Sequence, residues 1–211
     1  LFIESATFYN NTVAFNKANG SVSGVGNGSG IFQYADANAN RLSKLLLYNC
    51  IFYGNVGSGY NTNNQITSNT TGTFEKAHNC YVAGSIYRGL SDKFTITDGN
   101  QTGTDLANPF EKGSSAQSDN NYRLLATSTC VNKGTEDIEG VTLPETDMDY
   151  TARIKDCTID IGAYERSNQD NVTPDANGYY YVTQNGAGKA CGDSPTNAAC
   201  AMKLQEVLNA A

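Results

Sequence analysis

The sequence predicts an all-β protein, a right-handed parallel β-helix (solenoid) that carries one short C-terminal capping helix. This fold class follows from the composition, from a short repeated segment and from the pattern of the last residues. Only 17% of the 211 residues are charged, whereas 21 are Gly and 13 are Tyr, and Asn is abundant. Because Gly and Asn tolerate the positive φ angles of tight turns, this composition favours short strands joined by turns over a helical bundle.

The repeated segment occurs at residues 6–11, 50–55 and 80–85. Each copy starts with a small residue, ends in a residue suited to a bend, and has an apolar residue in its third position, namely Phe8, Phe52 or Val82. The copies start 44 and 30 residues apart. One turn of a parallel β-helix takes roughly 20–30 residues, so these offsets fit two turns and then one turn with a loop.

Other stretches predict further strands, a loop and the helix. Residues 41–55 hold the most apolar run and predict a buried strand, whereas residues 56–73 are polar and predict a long surface loop. A strand is expected at residues 179–183. An amphipathic helix is expected over residues 198–211, with Asn197 as its N-cap. Its apolar or small positions have helical spacing; they are Cys200, Leu204, Val207, Leu208 and Ala211.

Charge and the rare residue types exclude several kinds of site. The net charge of −7 disfavours nucleic-acid binding, which needs clustered Lys and Arg to neutralise phosphates. The single histidine, His78, excludes a multi-histidine metal site, and we interpret it as an ordinary surface or turn histidine. The six cysteines form no C-x-x-C pair, which argues against structural zinc. We predict a disulfide between Cys191 and Cys200, and free buried thiols at Cys50 and Cys80.

Several segments, in their order along the chain, resemble a known family. Residues 47–55 (LYNCIFYGN) are similar to a rung of the pectin-lyase-like β-helix proteins common in Bacteroidetes. Residues 108–134 and 147–165 are similar to that family's last rungs, and the ending DIGAYE is residues 160–165 here. Such choice-of-anchor-like endings lie on surface proteins. The resemblance therefore implies a secreted protein or one on the outer surface of a bacterial cell, without direct insertion into the membrane.

The resemblance also implies a division of the chain. Residues 1–165 are expected to be the C-terminal rungs of one β-helix and residues 166–178 a polar linker. Residues 179–211 are expected to be a strand plus capping helix similar to the start of a further β-helix. We therefore interpret the chain as an excerpt of a longer protein. Two positions depart from the family pattern, because Tyr150 stands where Gly is usual and Cys130 where Pro is frequent.

Three functions fit this interpretation: an adhesin or glycan-binding scaffold without catalysis, a polysaccharide lyase or glycoside hydrolase whose groove lies partly outside these residues, and a structural stalk. No catalytic residue is assigned. Aromatic rings stack on apolar sugar faces, and Tyr53, Tyr34 and Tyr81 are the predicted contacts for a polysaccharide or for a host or dietary glycan. A stalk predicts end-to-end self-association. The strand edge at residues 1–11 is expected to be covered by the C-terminal helix or by a neighbouring molecule.

Acidic residues near the DIGAYE ending form the sharpest polar group. Asp147 and Asp149 are two positions apart and share a face if the segment is extended. There they can bind Ca²⁺ through carboxylate oxygens or act as an acid–base pair on a polysaccharide. Polysaccharide lyases of this fold combine Ca²⁺ with a basic residue, for which Arg153 is the candidate. We favour a structural ion pair of these aspartates with Arg153, with Asp160 nearby, that holds the last rung together.

Overall fold

The structure, a computed structural model, describes residues 5–18, 30–33, 44–57, 64–68, 74–87, 98–114, 121–155, 158–166, 172–184, 186 and 192–211. These residues form short strands and one short helix, α1 (Leu204–Ala210). The strands are β1 (Ser5–Tyr9), β2 (Thr12–Ala14), β3 (Lys17–Ala18), β4 (Ile31–Gln33), β5 (Lys44–Tyr48), β6 (Ile51–Tyr53), β7 (Val56–Gly57), β8 (Asn64–Ser68), β9 (Phe74–His78), β10 (Tyr81–Ala83), β11 (Ser85–Tyr87), β12 (Gln101–Gly103), β13 (Phe110–Lys112), β14 (Asn121–Leu124), β15 (Val182–Thr183) and β16 (Ala199–Cys200).

Three parallel sheets contain most of these strands. The first sheet has the order β1-β5-β9, the second β2-β6-β10-β12 and the third β4-β8-β11, and all their strand pairs are parallel. Each sheet therefore takes neighbouring strands from successive segments of the chain. The smaller pairs β3–β7 and β15–β16 are parallel, and β13–β14 is antiparallel. The prediction of a chain made mostly of strands in parallel sheets, with one short helix, is confirmed.

The register of the second sheet confirms one predicted repeat and corrects the other. Val82 lies beside Phe52 across β10 and β6, as the 30-residue offset predicts. On the other side of Phe52 lies Val13 of β2. The prediction that Phe8 matches Phe52 is therefore wrong, because Phe8 belongs to β1 of the first sheet.

A turn with a central asparagine follows each strand of the first sheet, and it sets the register. Asn10, Asn49 and Asn79 come directly after β1, β5 and β9, with φ angles of 50°, 52° and 50°. Asn is one of the few residues other than Gly that tolerates this left-handed conformation. The first two turns lie 39 residues apart, and the Asn49 side chain donates a hydrogen bond of 3.3 Å to Oδ1 of Asn10.

The second sheet is packed on both faces. Successive residues of a strand point to opposite faces, so Phe52 and its neighbour Ile51 enter different cores. This arrangement explains the apolar residues of β6. The run that predicted one buried strand is divided by the Asn49 turn into β5 of the first sheet and β6 of the second. The core on the Phe52 side contains Leu45, Leu47, Cys50, Ile66, Ala77, Cys80 and Val82. The core on the Ile51 side contains Tyr81, Phe110, Leu124, Cys130, Val131 and Ile161.

The C-terminal segment has a shorter helix than predicted. Residues 199–200 pair with β15 as strand β16, residues 201–203 form a 3-10 turn, and α1 begins only at Leu204. Strand pairing therefore replaces the predicted first helical turn, and Asn197 lies in an earlier 3-10 turn instead of capping the helix. Helix α1 packs on β16 and on the preceding 3-10 turn. The outer edge of β1 has no strand partner among the described residues, so the expected cover of that edge stays a prediction.

The cysteines are divided between free thiols and a disulfide. Cys50, Cys80 and Cys130 are free and buried, which confirms the prediction for the first two. Cys200 is disulfide-bonded. Cys191 lies outside the described residues, so the pairing of these two cysteines stays a prediction. Within the described part of the chain, no helix has the length and apolar character needed to span a membrane.

Candidate functional site

A cluster of four aromatic rings lies where β6 meets the β13–β14 pair, and we call it the aromatic cluster. Its members are Phe15, Tyr53, Phe110 and Tyr122. The ring centroids of Phe15 and Tyr53 are 5.5 Å apart with the planes at 70°, and those of Phe110 and Tyr122 are 5.3 Å apart at 74°. These edge-to-face arrangements are favoured by the charge distribution of aromatic rings. Phe15 also stacks on Tyr122 at 6.2 Å.

Two glycines make room for Phe15 at the centre of the cluster. A Cβ atom on Gly54 would lie 2.7 Å from the Phe15 ring, and one on Gly113 would lie 2.8 Å from it. Phe15 itself has a φ angle of 55°, which is unusual for a bulky residue. Its backbone N–H donates a 3.0 Å hydrogen bond to the Tyr53 carbonyl oxygen. Side-chain and backbone contacts together therefore hold Phe15 against Tyr53.

The aromatic cluster includes one of the three predicted glycan contacts. Tyr53 is half-buried, as are Phe15 and Tyr122, and all three residues pack against the core on the Ile51 side. Tyr81 is only 2% exposed, and its hydroxyl donates to the Ala107 carbonyl oxygen at 2.5 Å. Burial also raises the pKa of Tyr81. The structure therefore places Tyr81 in the core, where it presents no ring surface to a sugar, and Tyr34 lies outside the described residues.

Asp147 is the acceptor at the centre of a tight turn near the DIGAYE segment. Its Oδ1 accepts from the N–H groups of Asp149 and Thr151 at 2.9 and 3.0 Å and from the Thr151 hydroxyl at 3.0 Å. Its Oδ2 accepts from the Glu165 N–H at 2.9 Å and lies 3.6 Å from Lys155 Nζ. Burial alone raises the pKa of Asp147, but these hydrogen bonds outweigh burial and lower it.

The predicted sharing of a face by Asp147 and Asp149 is wrong, because residues 147–150 form a turn rather than an extended segment. Asp149 instead binds Arg123, whose Nε donates to Oδ2 at 2.7 Å, while Asp147 binds backbone groups. The described residues contain no cluster of three or more Asp, Glu, His or Cys side chains suited to a metal ion. The Ca²⁺ hypothesis for these two aspartates therefore gains no support from the geometry.

Arg153 pairs with Glu165, which corrects the predicted ion pair with the aspartates. Arg153 Nη1 lies 3.3 Å from Glu165 Oε1, and the two side chains are 7% and 1% exposed. Nη2 donates to the Thr146 carbonyl oxygen at 3.1 Å. Burial raises the pKa of Glu165 to about 8, and nearby Asp160 adds to this shift, while hydrogen bonds and the Arg153 charge oppose it. No sequence pattern predicts this pairing, although Glu165 belongs to the DIGAYE segment.

Asp160 connects the DIGAYE segment to Asn132, to the next residue, Arg166, and to the Asn10 turn. Its carboxylate accepts from the N–H groups of Asn132 at 2.7 Å and Arg166 at 2.6 Å. Its own N–H donates to Glu165 Oε2 at 2.9 Å, and its carbonyl oxygen accepts from the Asn10 side chain at 3.2 Å. The carboxylates of Asp147, Asp160 and Glu165 thus bind backbone N–H groups of the chain itself.

Cys80 and His78 do not form an activated nucleophile pair. The Cys80 thiol is fully buried, and burial raises its pKa well above the ordinary value, which lowers its reactivity. The His78 ring stacks on Tyr48 with centroids 6.1 Å apart, and its Nδ1 contacts the Asn79 side chain. This arrangement supports the interpretation of His78 as an ordinary histidine, although His78 is the last residue of β9 and half-buried rather than part of a turn.

Gly162→Ala is expected to lower the free energy of unfolding by about 2–3 kcal/mol. Gly162 has a φ angle of 110°, and an added Cβ would lie 2.7 Å from Cδ1 of buried Ile51. Gly140→Ala is the matched control, because Gly140 also has a positive φ, 71°, but nothing lies within 4 Å of its added Cβ. Urea unfolding of both variants measures the difference, and equal losses would show that Gly162 is not packed against Ile51.

Comparison with known proteins identifies no relative of this chain. No family model matches it, and no curated protein or solved structure is significantly similar to it.

Proposed function

We propose that the chain is a segment of a right-handed parallel β-helix from a secreted or bacterial outer-surface protein, and that it binds glycans without catalysis. The proposed contact surface consists of Phe15, Tyr53 and Tyr122 of the aromatic cluster, which pack against the buried Phe110 ring. The observation that carries this proposal is the group of three half-buried aromatic residues, Phe15, Tyr53 and Tyr122, that pack together beside the core on the Ile51 side.

The repeated path of the chain supports the β-helix. Along the sequence, the first, second and third sheets receive β1, β2 and β4, then β5, β6 and β8, then β9, β10 and β11. The same asparagine turn joins the first sheet to the second in each round. A coil whose turns stack on their neighbours produces this order, because each repeat contacts only the next one.

The arrangement of the polar groups supports a scaffold role. Asp147 and Asp160 accept several backbone N–H groups each, and Glu165 is paired with Arg153. An acid–base pair for sugar hydrolysis needs two carboxyl groups that face a substrate, whereas these groups face the protein. Half-buried aromatic rings, by contrast, offer the flat apolar surface on which sugar rings stack.

A glycan array probed with the purified chain tests this proposal. We expect binding to one glycan class, and we expect Tyr53→Ala and Tyr122→Ala each to weaken it about tenfold, which corresponds to about 1.4 kcal/mol. Tyr179→Ala is the matched control, because Tyr179 is 65% exposed and lies outside the aromatic cluster. Cooperative thermal unfolding establishes that each variant is folded. Absence of binding by the folded chain, or equal binding by all variants, contradicts the proposal.

A further inference from the structure

A cleft of about 450 Å³ lies beside the Asp147 turn, and none of its lining residues belongs to the aromatic cluster. Its walls come from the loop at residues 136–145 and from residues 152–154. The cleft is held by backbone contacts: the Arg153 N–H donates to the Glu145 carbonyl oxygen at 2.9 Å, and Thr146 pairs with Ala152 in an antiparallel bridge. Its volume falls within the range of small-ligand sites in proteins.

The lining combines an aliphatic wall with carboxylates. Leu143, Pro144 and Ile154 supply the apolar surface, and Glu136 and Glu145 supply the charge. Both glutamates are exposed, and neither forms an ion pair within the described part of the chain.

The loop that forms one wall of this cleft is acidic. Asp137 and Glu139 lie in the same loop, and no Lys or Arg occurs between Lys133 and Arg153. Arg153 lines the cleft, but its guanidinium faces Glu165 and the Thr146 carbonyl oxygen. An anionic ligand is therefore repelled at the mouth of the cleft, whereas a cation is attracted.

We propose that this cleft binds an aliphatic cation, a Lys or Arg side chain carried by a basic polypeptide. The methylene stem of such a side chain packs on Leu143, Pro144 and Ile154, and its charged head lies between Glu136 and Glu145. Long basic side chains have this division into an apolar stem and a charged end. The site is separate from the aromatic cluster and does not depend on glycan binding.

Arg153 distinguishes a peptide from a free polyamine as the source of the cation. The Arg153 side chain is 7% exposed, and its buried Nε has no hydrogen-bond partner among the described residues. Buried donors without an acceptor are rare in proteins. A peptide brings carbonyl oxygens that can accept from this group after a small shift of the side chain. A polyamine brings only donors, so the peptide is the favoured ligand.

Titration of the isotope-labelled chain, followed by amide NMR at low ionic strength, tests the proposal. The probes are a short blocked peptide of alternating Gly and Lys, the matching peptide of Gly and Glu, and spermidine. We expect the Lys peptide to shift amide signals of residues 143–145 and 152–154 and to bind about tenfold more tightly than spermidine. The Glu peptide is expected to leave these signals unchanged. Spermidine binding as tight as the Lys peptide overturns the peptide assignment.

Two double variants with the same net charge separate a specific site from general attraction. Glu136→Gln with Glu145→Gln removes the carboxylates that line the cleft, and we expect it to weaken binding of the Lys peptide about tenfold. Asp137→Asn with Glu139→Gln neutralises two exposed acids of the same loop that do not line the cleft, and we expect less than a threefold change. Equal weakening by both pairs, or shifts that spare the cleft residues, overturns the proposal.

Discussion

Asp147→Ala is expected to lower the free energy of unfolding by about 3–5 kcal/mol, the largest effect of any single change proposed for this protein. The Asp147 carboxylate is buried and accepts from three backbone N–H groups and one hydroxyl. Its removal leaves these donors without their acceptor and leaves Lys155 without its carboxylate partner 3.6 Å away. Denaturant unfolding followed by circular dichroism measures the loss.

Asp149→Ala is the control for this prediction. Asp149 is two residues away and carries the same charge, but it pairs with Arg123 near the surface, where the Arg123 side chain is 49% exposed. Surface ion pairs contribute about 0–1 kcal/mol, so a loss below 1 kcal/mol is expected. Similar losses for the two variants would show that the Asp147 hydrogen bonds do not hold this part of the fold together.

The free energy of unfolding is expected to fall by about 4 kcal/mol as the pH rises from about 5 to about 8. Burial, the nearby Asp160 charge and the opposing contacts leave the pKa of Glu165 at about 8 in the folded chain, whereas an unfolded Glu titrates near 4.3. Between these values the folded state binds more protons than the unfolded state, so raising the pH favours unfolding. Urea unfolding at several pH values measures this slope.

Glu165→Gln is expected to flatten this slope, because Gln stays neutral across the whole range while it keeps the shape of the protonated acid. Glu139→Gln, a change at an exposed position, is expected to leave the slope unchanged. Asp147 acts in the opposite direction at lower pH, because its pKa is lowered and its stabilisation is lost as the pH falls below about 4. A wild-type stability that is constant or rises between pH 5 and 8 contradicts the assignment to Glu165.

The strands of this protein are predictable from sequence where local pattern determines them. Residues 50–55 and 80–85 align correctly because both contain a complete asparagine-preceded strand of the second sheet. Residues 6–11 misled the alignment because Phe8 suggested a match with Phe52, although the shared Asn10 and Asn49 turns fix the true offset. A five-residue difference in where a copy begins, between the predicted offset of 44 and the true offset of 39, moves a strand into another sheet, and the apolar pattern alone does not reveal it.

The candidate sites are less predictable, because their contacts join distant parts of the chain. Phe15 stacks on Tyr122, more than 100 residues later, and Phe15 carries no polar atom that would mark it as a surface ligand contact. The sequence pattern draws attention to Asp147 and Asp149, but the partners of these residues depend on the turn at residues 147–150. Because of that turn, Asp147 accepts from backbone N–H groups and Asp149 binds Arg123. Arg153 pairs with Glu165 instead of either aspartate.

The hydrogen bonds of the Asn10 side chain affect how fast the chain folds. Its Nδ2 donates to the carbonyl oxygens of Asp160 and Gly162, which are 150 and 152 residues further on. During synthesis from the N-terminus, the Asn10 turn completes its contacts only after the residues up to 162 have been synthesised. Contacts of such high sequence separation slow folding, and partly formed parallel strands expose edges meanwhile. We therefore expect slow refolding from denaturant, with the DIGAYE segment docking late.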